Sequence, residues 1–161
     1  MLRLLILIGL PGSGKSTLAA KLVQVCPDRR LISTDAIRAQ LFSDAAIQGP
    51  WLKVWAEVGR QFRETVQQID SGDLQGAIYD ATNVVRRQRR QAIALAQEAG
   101  FTHITGLWLD VPLSICLQRN AERDRQVPAA IMYQMQRRLM GAPPSMTDGF
   151  HCLITLEHGY R

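Results

Sequence analysis

Gly9-Leu10-Pro11-Gly12-Ser13-Gly14-Lys15-Ser16 is the stretch whose reading decides the fold. It has the full spacing of a phosphate-cradling P-loop, a glycine-rich turn closed by Lys and Ser. The apolar run Leu4–Ile8 leads into it as a buried strand. Lys15–Val25 leads out as a helix, stopped by Pro27. This strand–loop–helix context gives the pattern its weight. Glycines such as Gly12 and Gly14 let backbone N–H groups turn inward around phosphate oxygens, with Ser13 between them. The helix N-terminus adds unpaired donors and a favourable dipole. Lys15 supplies a point charge for the β- and γ-phosphates of a nucleoside triphosphate. The Ser16 hydroxyl is the expected Mg²⁺ ligand, because this ion prefers oxygen and keeps part of its water. Thr17 is placed to donate on the α-phosphate side.

Outward from the loop, apolar runs alternate with helical patterns. Leu31–Ser33 reads as a short strand and Asp35–Leu41 as a short helix. Pro50–Asp70 carries Trp51, Trp55, Val58, Phe62, Val66 and Ile69 as one apolar stripe of a long helix stopped by Gly72. Core packing is the expectation for the stripe, with a partner face as the alternative for Trp51 and Trp55. Ala77–Tyr79 is a strand, and Arg87–Glu98 a helix ended by Gly100. Ile104–Leu109 is a strand, followed by a helix from Pro112 to about Arg119. Pro128 starts another helix, ending near Gly141, and Leu153–Leu156 is the last strand. Strands separated by helices predict an α/β fold with a mainly parallel sheet covered on both faces. In such sheets ligands sit beyond the carboxyl ends of the strands, and the polar motifs fall there.

The bulk numbers agree. The chain has 161 residues, 47% of them hydrophobic and 20% charged, which suits one domain over 1–161 and excludes disorder. The net charge of +5 favours anionic partners. Nearly all of that charge is arginine; the lysines are Lys15, Lys21 and Lys53. Cys26, Cys116 and Cys152 are odd in number and widely spaced, forming neither a disulfide framework nor a zinc motif. The opening Leu2–Leu10 run is too short to span a membrane and runs directly into the glycine loop. A cytoplasmic protein with no membrane partner is the expectation.

Four further motifs carry candidate chemistry. Asp35 and Arg38 are three apart and share one side of a helical turn. Asp35 is placed to take the proton of an accepting hydroxyl, and Arg38 to hold a phosphate on the acceptor. The alternative is that Thr34 or Asp35 merely caps the helix. Tyr79-Asp80-Ala81-Thr82-Asn83 ends the third predicted strand. Asp80 there can hold a Mg²⁺-bound water, with Asp110 as its rival, and Thr82 and Asn83 present polar groups at the ligand edge. Arg86-Arg87-Gln88-Arg89-Arg90 opens a helix, where the dipole disfavours cations. Such a run needs an anion or good pairing partners; we take an anion, with Arg86 on the acceptor side. Arg119-Asn120-Ala121-Glu122-Arg123-Asp124-Arg125 before Val127-Pro128 reads as a lid carrying arginines, or else as an i,i+4 charge network.

Together these pieces resemble the kinase domain of phage-type polynucleotide 5′-hydroxyl kinases. The resemblance rests on Gly9–Thr17, Thr34-Asp35 with Arg38, Asp80-Ala81-Thr82-Asn83 with Arg89-Arg90, Asp110-Val111-Pro112, and Arg119-Asn120-x-x-Arg123 leading to Val127-Pro128. Pro143-Pro144 with Asp148-Gly149-Phe150 is similar to the tail of small bacterial AAA-like ATP-binding and zeta-toxin-like kinases. The resemblance implies a five-stranded parallel sheet of adenylate-kinase type with a lid over about 119–128. It implies Asp35 as general base, Arg38 as acceptor-phosphate ligand and Arg123 as the lid arginine at the phosphates. Arg119 falls near the donor nucleobase, and Asp80 organises the acceptor or the metal water. The implied activity is Mg²⁺-dependent transfer from ATP, or another nucleoside triphosphate, to a 5′-hydroxyl of RNA or DNA. The chain has no room for the phosphatase or ligase domains often fused to such kinases. Aromatic residues are 6% of the chain and few fall near the expected groove. That favours a short 5′ end, a nucleoside 3′-phosphate or another small phosphorylated alcohol as acceptor. The alternatives are a small-molecule kinase acting on a sugar, nucleoside or antibiotic, and a nucleotide-dependent switch without a separate acceptor.

Overall fold

The computed structural model describes residues 1–44 and 49–158. Five strands form one sheet: β1 (Arg3–Ile8), β2 (Arg29–Ser33), β3 (Gly76–Asp80), β4 (His103–Asp110) and β5 (Cys152–Glu157). Their order is β2-β3-β1-β4-β5, and every pairing is parallel. The P-loop strand therefore lies at the centre. The helices are α1 (Lys15–Val25), α2 (Thr34–Phe42), α3 (Trp51–Asp70), α4 (Arg86–Ala99), α5 (Leu113–Ala121) and α6 (Ala129–Gly141). The predicted elements are all present, with ends shifted by one or two residues.

The central strand shows why both faces must be covered. Leu4, Ile6 and Ile8 point into one apolar cluster, while Leu7 joins a second one with Ile78, Leu107, Leu109 and Ala19 of α1. Each of these side chains contributes about 1.5–3 kcal/mol when fully removed from water. The larger cluster takes Val54, Val58, Phe62 and Val66 of α3 and Ala92, Ile93 and Ala96 of α4. Phe62 sits edge-on to Tyr79 and Phe101, with ring centroids 5.5 and 5.6 Å away. Among the described residues no helix is long and apolar enough to cross a membrane.

Two features depart from expectation. The buried stripe of α3 begins at Val54, and Trp51 is not part of it: its surface is 44% exposed. The first helical turn lies outside the packed layer, so Trp51 and Leu52 face outward. A short 3₁₀ turn, Met146–Asp148, precedes β5. Ser145 caps it, and the Asp148 carboxylate accepts from the Ser145 N–H at 3.2 Å, so the turn closes on itself.

Candidate active site at the carboxyl edge of the sheet

The loop after β1 is held in shape by its neighbours. The Gly9 N–H donates to the Thr82 carbonyl beyond β3 at 3.0 Å, and Ser13 N–H to the Leu10 carbonyl at 3.0 Å. Gly12 has φ 81°, and a Cβ there would lie 2.5 Å from the Cys116 carbonyl oxygen. No other residue fits that position without moving the backbone of α5. The Lys15 side chain folds back across the loop and donates to the Leu10 carbonyl at 3.0 Å and toward Ser13 Oγ at 3.5 Å. Ser16 and Thr17, in the first turn of α1, are exposed.

Ser16 Oγ donates to Asp80 Oδ2 at 2.9 Å, joining the P-loop to the end of β3. Asp80 therefore stands against the cradle. Asp110 ends β4, where its backbone carbonyl accepts from the His158 N–H at 3.2 Å. The Ser16–Asp80 pair is an all-oxygen donor set suited to a hard cation. Among the described residues no group of three or more His, Cys, Asp or Glu side chains converges as a protein cage. That composition fits Mg²⁺, which takes one or two protein oxygens and completes its shell with phosphates and water.

Burial pulls the Lys15 ammonium down from the ordinary value of 10.5 to about 8, with the nearby Asp80 carboxylate offsetting part of the effect. Phosphates bound beside it would restore the proton. The complex would then bind more protons than the free protein above pH 8, so affinity must fall as pH rises through 8. Nucleotide affinity is expected to drop by up to about tenfold per pH unit there. Calorimetric titration of nucleotide in buffers of different ionisation enthalpy checks this: net proton uptake at pH 8.5 is expected in wild type and absent in Lys15→Met.

α2 opens at the end of β2. Its cap is Ser33, whose Oγ accepts from the Ala36 N–H at 3.3 Å. Neither Thr34 nor Asp35 is spent on capping. Asp35 Oδ1 instead accepts from Arg38 Nη1 at 3.1 Å and pairs with Arg125 Nη1 at 3.6 Å. Arg125 thus connects the lid to the acceptor side, a contact that the sequence did not single out. The Arg38 guanidinium lies over the Trp51 ring, 5.8 Å from its centroid. An aromatic side chain therefore stands beside Arg38.

The lid is a short turn between α5 and α6. Asn120 is buried and clasps Val127 twice, its amide donating to the Val127 carbonyl at 2.8 Å and its oxygen accepting from the Val127 N–H at 3.0 Å. This clasp explains the Arg-Asn…Val-Pro pattern: asparagine fixes the ends of the turn and the arginines project from it. Arg119 Nη1 donates to the Gly12 carbonyl at 3.3 Å. Arg123 is exposed and near enough to Lys15 to weigh against its charge.

The arginine run of α4 finds its anion inside the chain. Arg89 is fully buried, with Nε 2.7 Å from Asp148 Oδ2. Its remaining nitrogens donate to the carbonyls of Asn83 and Val84 at 3.2 Å and of Ala142 at 2.7 Å. Arg86 and Arg90 approach Asp148 Oδ1 at 3.3 and 4.0 Å. Arg86, expected at the acceptor, is thus turned toward an internal carboxylate. Asn83 is also committed to the fold: it is buried, takes φ 52°, and its amide donates to the Leu7 carbonyl at 2.8 Å. Thr82 stays half-buried at the ligand edge. Asn83 therefore ties β1 and α4 to the segment that follows β3, through its amide on Leu7 and its carbonyl under Arg89.

A family model, AAA_33 (AAA domain), matches residues 4–142. L-seryl-tRNA(Sec) kinase of Methanococcus maripaludis is 29% identical over 143 residues, covering 84% of this chain. The chain spans about half, 51%, of that protein's length. Among solved structures, the Pnkp1/Rnl/Hen1 RNA repair complex aligns with a TM-score of 0.69 at 22% identity over 86% of this chain and 44% of the other. A fungal RNA kinase aligns with a TM-score of 0.67 at 16% identity over 99% of this chain and 75% of the other. At these identities the two structures establish the shared fold.

Proposed function

The chain belongs to the AAA_33 family of AAA domains, and from that premise we propose that it is an ATP- and Mg²⁺-dependent kinase acting on the 5′-hydroxyl of a polynucleotide, RNA or DNA. The observation that carries the reading is the Asp35 carboxylate held between Arg38 and the lid residue Arg125, near enough to Lys15 to act on its charge. A nucleotide-dependent switch has no need of a carboxylate there. A hydroxyl acceptor does. Two of the similar proteins carry RNA in their names, a seryl-tRNA kinase and an RNA kinase, which supports an acceptor attached to nucleic acid.

In this reading the 5′-hydroxyl oxygen forms its bond to the γ-phosphorus while the bond to the bridging oxygen breaks and ADP leaves. Asp35 takes the hydroxyl proton. Lys15 and Arg123 neutralise charge on the transferring group, and Arg119 borders the donor site. Arg38 holds the acceptor's first phosphate. Ser16, with Asp80 behind it through water, would hold Mg²⁺, which supplies charge neutralisation between the β- and γ-phosphates.

The test is incubation with γ-labelled ATP, Mg²⁺, 5′-OH RNA and DNA oligomers and a matched 5′-phosphorylated oligomer. Label is expected on the 5′-OH oligomers alone. It should fall at least about a hundredfold in Lys15→Ala, as for loss of a single transition-state charge contact. No transfer to any nucleic acid, with ATP binding intact, overturns the reading and moves the acceptor to a small alcohol.

A further inference from the structure

Trp51 is a large aromatic ring, 44% exposed, on the first turn of α3, beside the exposed Leu52 and ahead of the buried stripe that starts at Val54. Its surroundings are specific. Trp55 stacks on it from the next turn, with ring centroids 5.7 Å apart and planes 25° apart. The Arg38 guanidinium lies over the same ring at 5.8 Å. Arg38 Nη1 in turn holds Asp35, while Arg38 Nε is buried and has no hydrogen-bond partner. The outcome is a planar aromatic surface, stiffened by a second ring, next to a cation with an unused donor and a carboxylate.

We propose that the Trp51 ring, backed by Trp55, is the stacking platform for the first nucleobase of the acceptor. The proposal rests on the polynucleotide reading above and adds to it the group that recognises the base. Every base has a π-face, so an indole holds any of them without reading sequence. A cation beside the ring complements the acceptor's phosphate while the ring takes the base. The three groups are joined in space: Asp35 and Arg38 lie in the first turns of α2, and Arg38 bridges that carboxylate to the Trp51 ring at the start of α3. A platform of this kind needs only the terminal nucleotide, so it serves a short 5′ end without a long groove.

The experiment compares wild type, Trp51→Ala and Trp51→Phe on a 5′-OH oligonucleotide and on the same oligonucleotide with an abasic 5′-terminal residue. Loss of stacking is worth ~1–3 kcal/mol per base, which is about a 5- to 150-fold change at tenfold per 1.4 kcal/mol. The acceptor KM is expected to rise by that factor in Trp51→Ala and to return most of the way in Trp51→Phe, with the KM for ATP within about twofold. On the abasic acceptor, wild type should already show the raised KM, and Trp51→Ala should add nothing. That arm needs no variant, so it decides the matter even if Trp51→Ala folds poorly. A wild-type enzyme that phosphorylates both acceptors with equal KM overturns the platform and leaves the polynucleotide reading standing. A wild-type enzyme that phosphorylates neither overturns both.

Discussion

Replacing Arg89 with methionine is expected to cost about 3–5 kcal/mol of folding free energy, because it leaves the Asp148 carboxylate buried without its main counter-charge. The side chains of both partners are fully buried, and they meet at 2.7 Å. The loss also orphans the carbonyls of Asn83, Val84 and Ala142, which Arg89 satisfies now. Set against a typical total of about 5–15 kcal/mol, this is a large share. For a domain of this size the melting temperature should fall by roughly 6–20 °C. Arg86 and Arg90 pair with the other carboxylate oxygen at 3.3 and 4.0 Å, but their side chains are about half exposed and replace the buried guanidinium only in part. Lysine should rescue little, since one ammonium cannot span three carbonyls and a carboxylate. The check is thermal unfolding of Arg89→Met, Asp148→Asn and the double variant. The double variant should recover part of the loss, since it removes the stranded charge. Additive losses would mean that the two residues act independently.

The second large effect is expected at Asp35. Asp35→Asn should lower kcat by about 10²–10⁴, the usual worth of a positioned general base, while nucleotide affinity stays within about threefold. The geometry supports that separation. Asp35 is half-exposed, its helix is capped by Ser33, and its partners are two arginines on the acceptor side and the lid. Asparagine keeps the shape and one acceptor oxygen, so α2 should remain folded. Single-turnover transfer beside a nucleotide titration makes the measurement. Parallel loss of binding and transfer would give Asp35 a structural role only.

Much of this architecture was legible in the chain. The P-loop is a local pattern: glycine conformations, a strand before it and a helix after it are all set by neighbouring residues. The five strands and six helices follow from local periodicity in the same way. The partners of the arginine run were not legible, because Arg89 meets Asp148 only after β4, α5 and α6 have returned the chain to the end of α4. Asn83 misled for a related reason. A polar residue at a strand's carboxyl end looks like a ligand group, and only the path of β1 beside it supplies the carbonyl that takes its amide. Trp51 also misled, since apolar spacing cannot tell the first turn of a helix that overhangs the layer from one that lies within it. The Ser16–Asp80 hydrogen bond was not legible either, because it joins residues far apart in the chain and depends on β3 lying beside β1.

The Arg89–Asp148 pair also bears on where this unit can be cut. The family match ends at residue 142, before Asp148 and before β5 (Cys152–Glu157). A gene trimmed to that match would encode a buried guanidinium with its carbonyl partners but no counter-ion, and a β4 edge with nothing paired to it. The smallest piece to express, fuse or transplant therefore extends through the last strand, and the limits of sequence similarity understate the unit that folds.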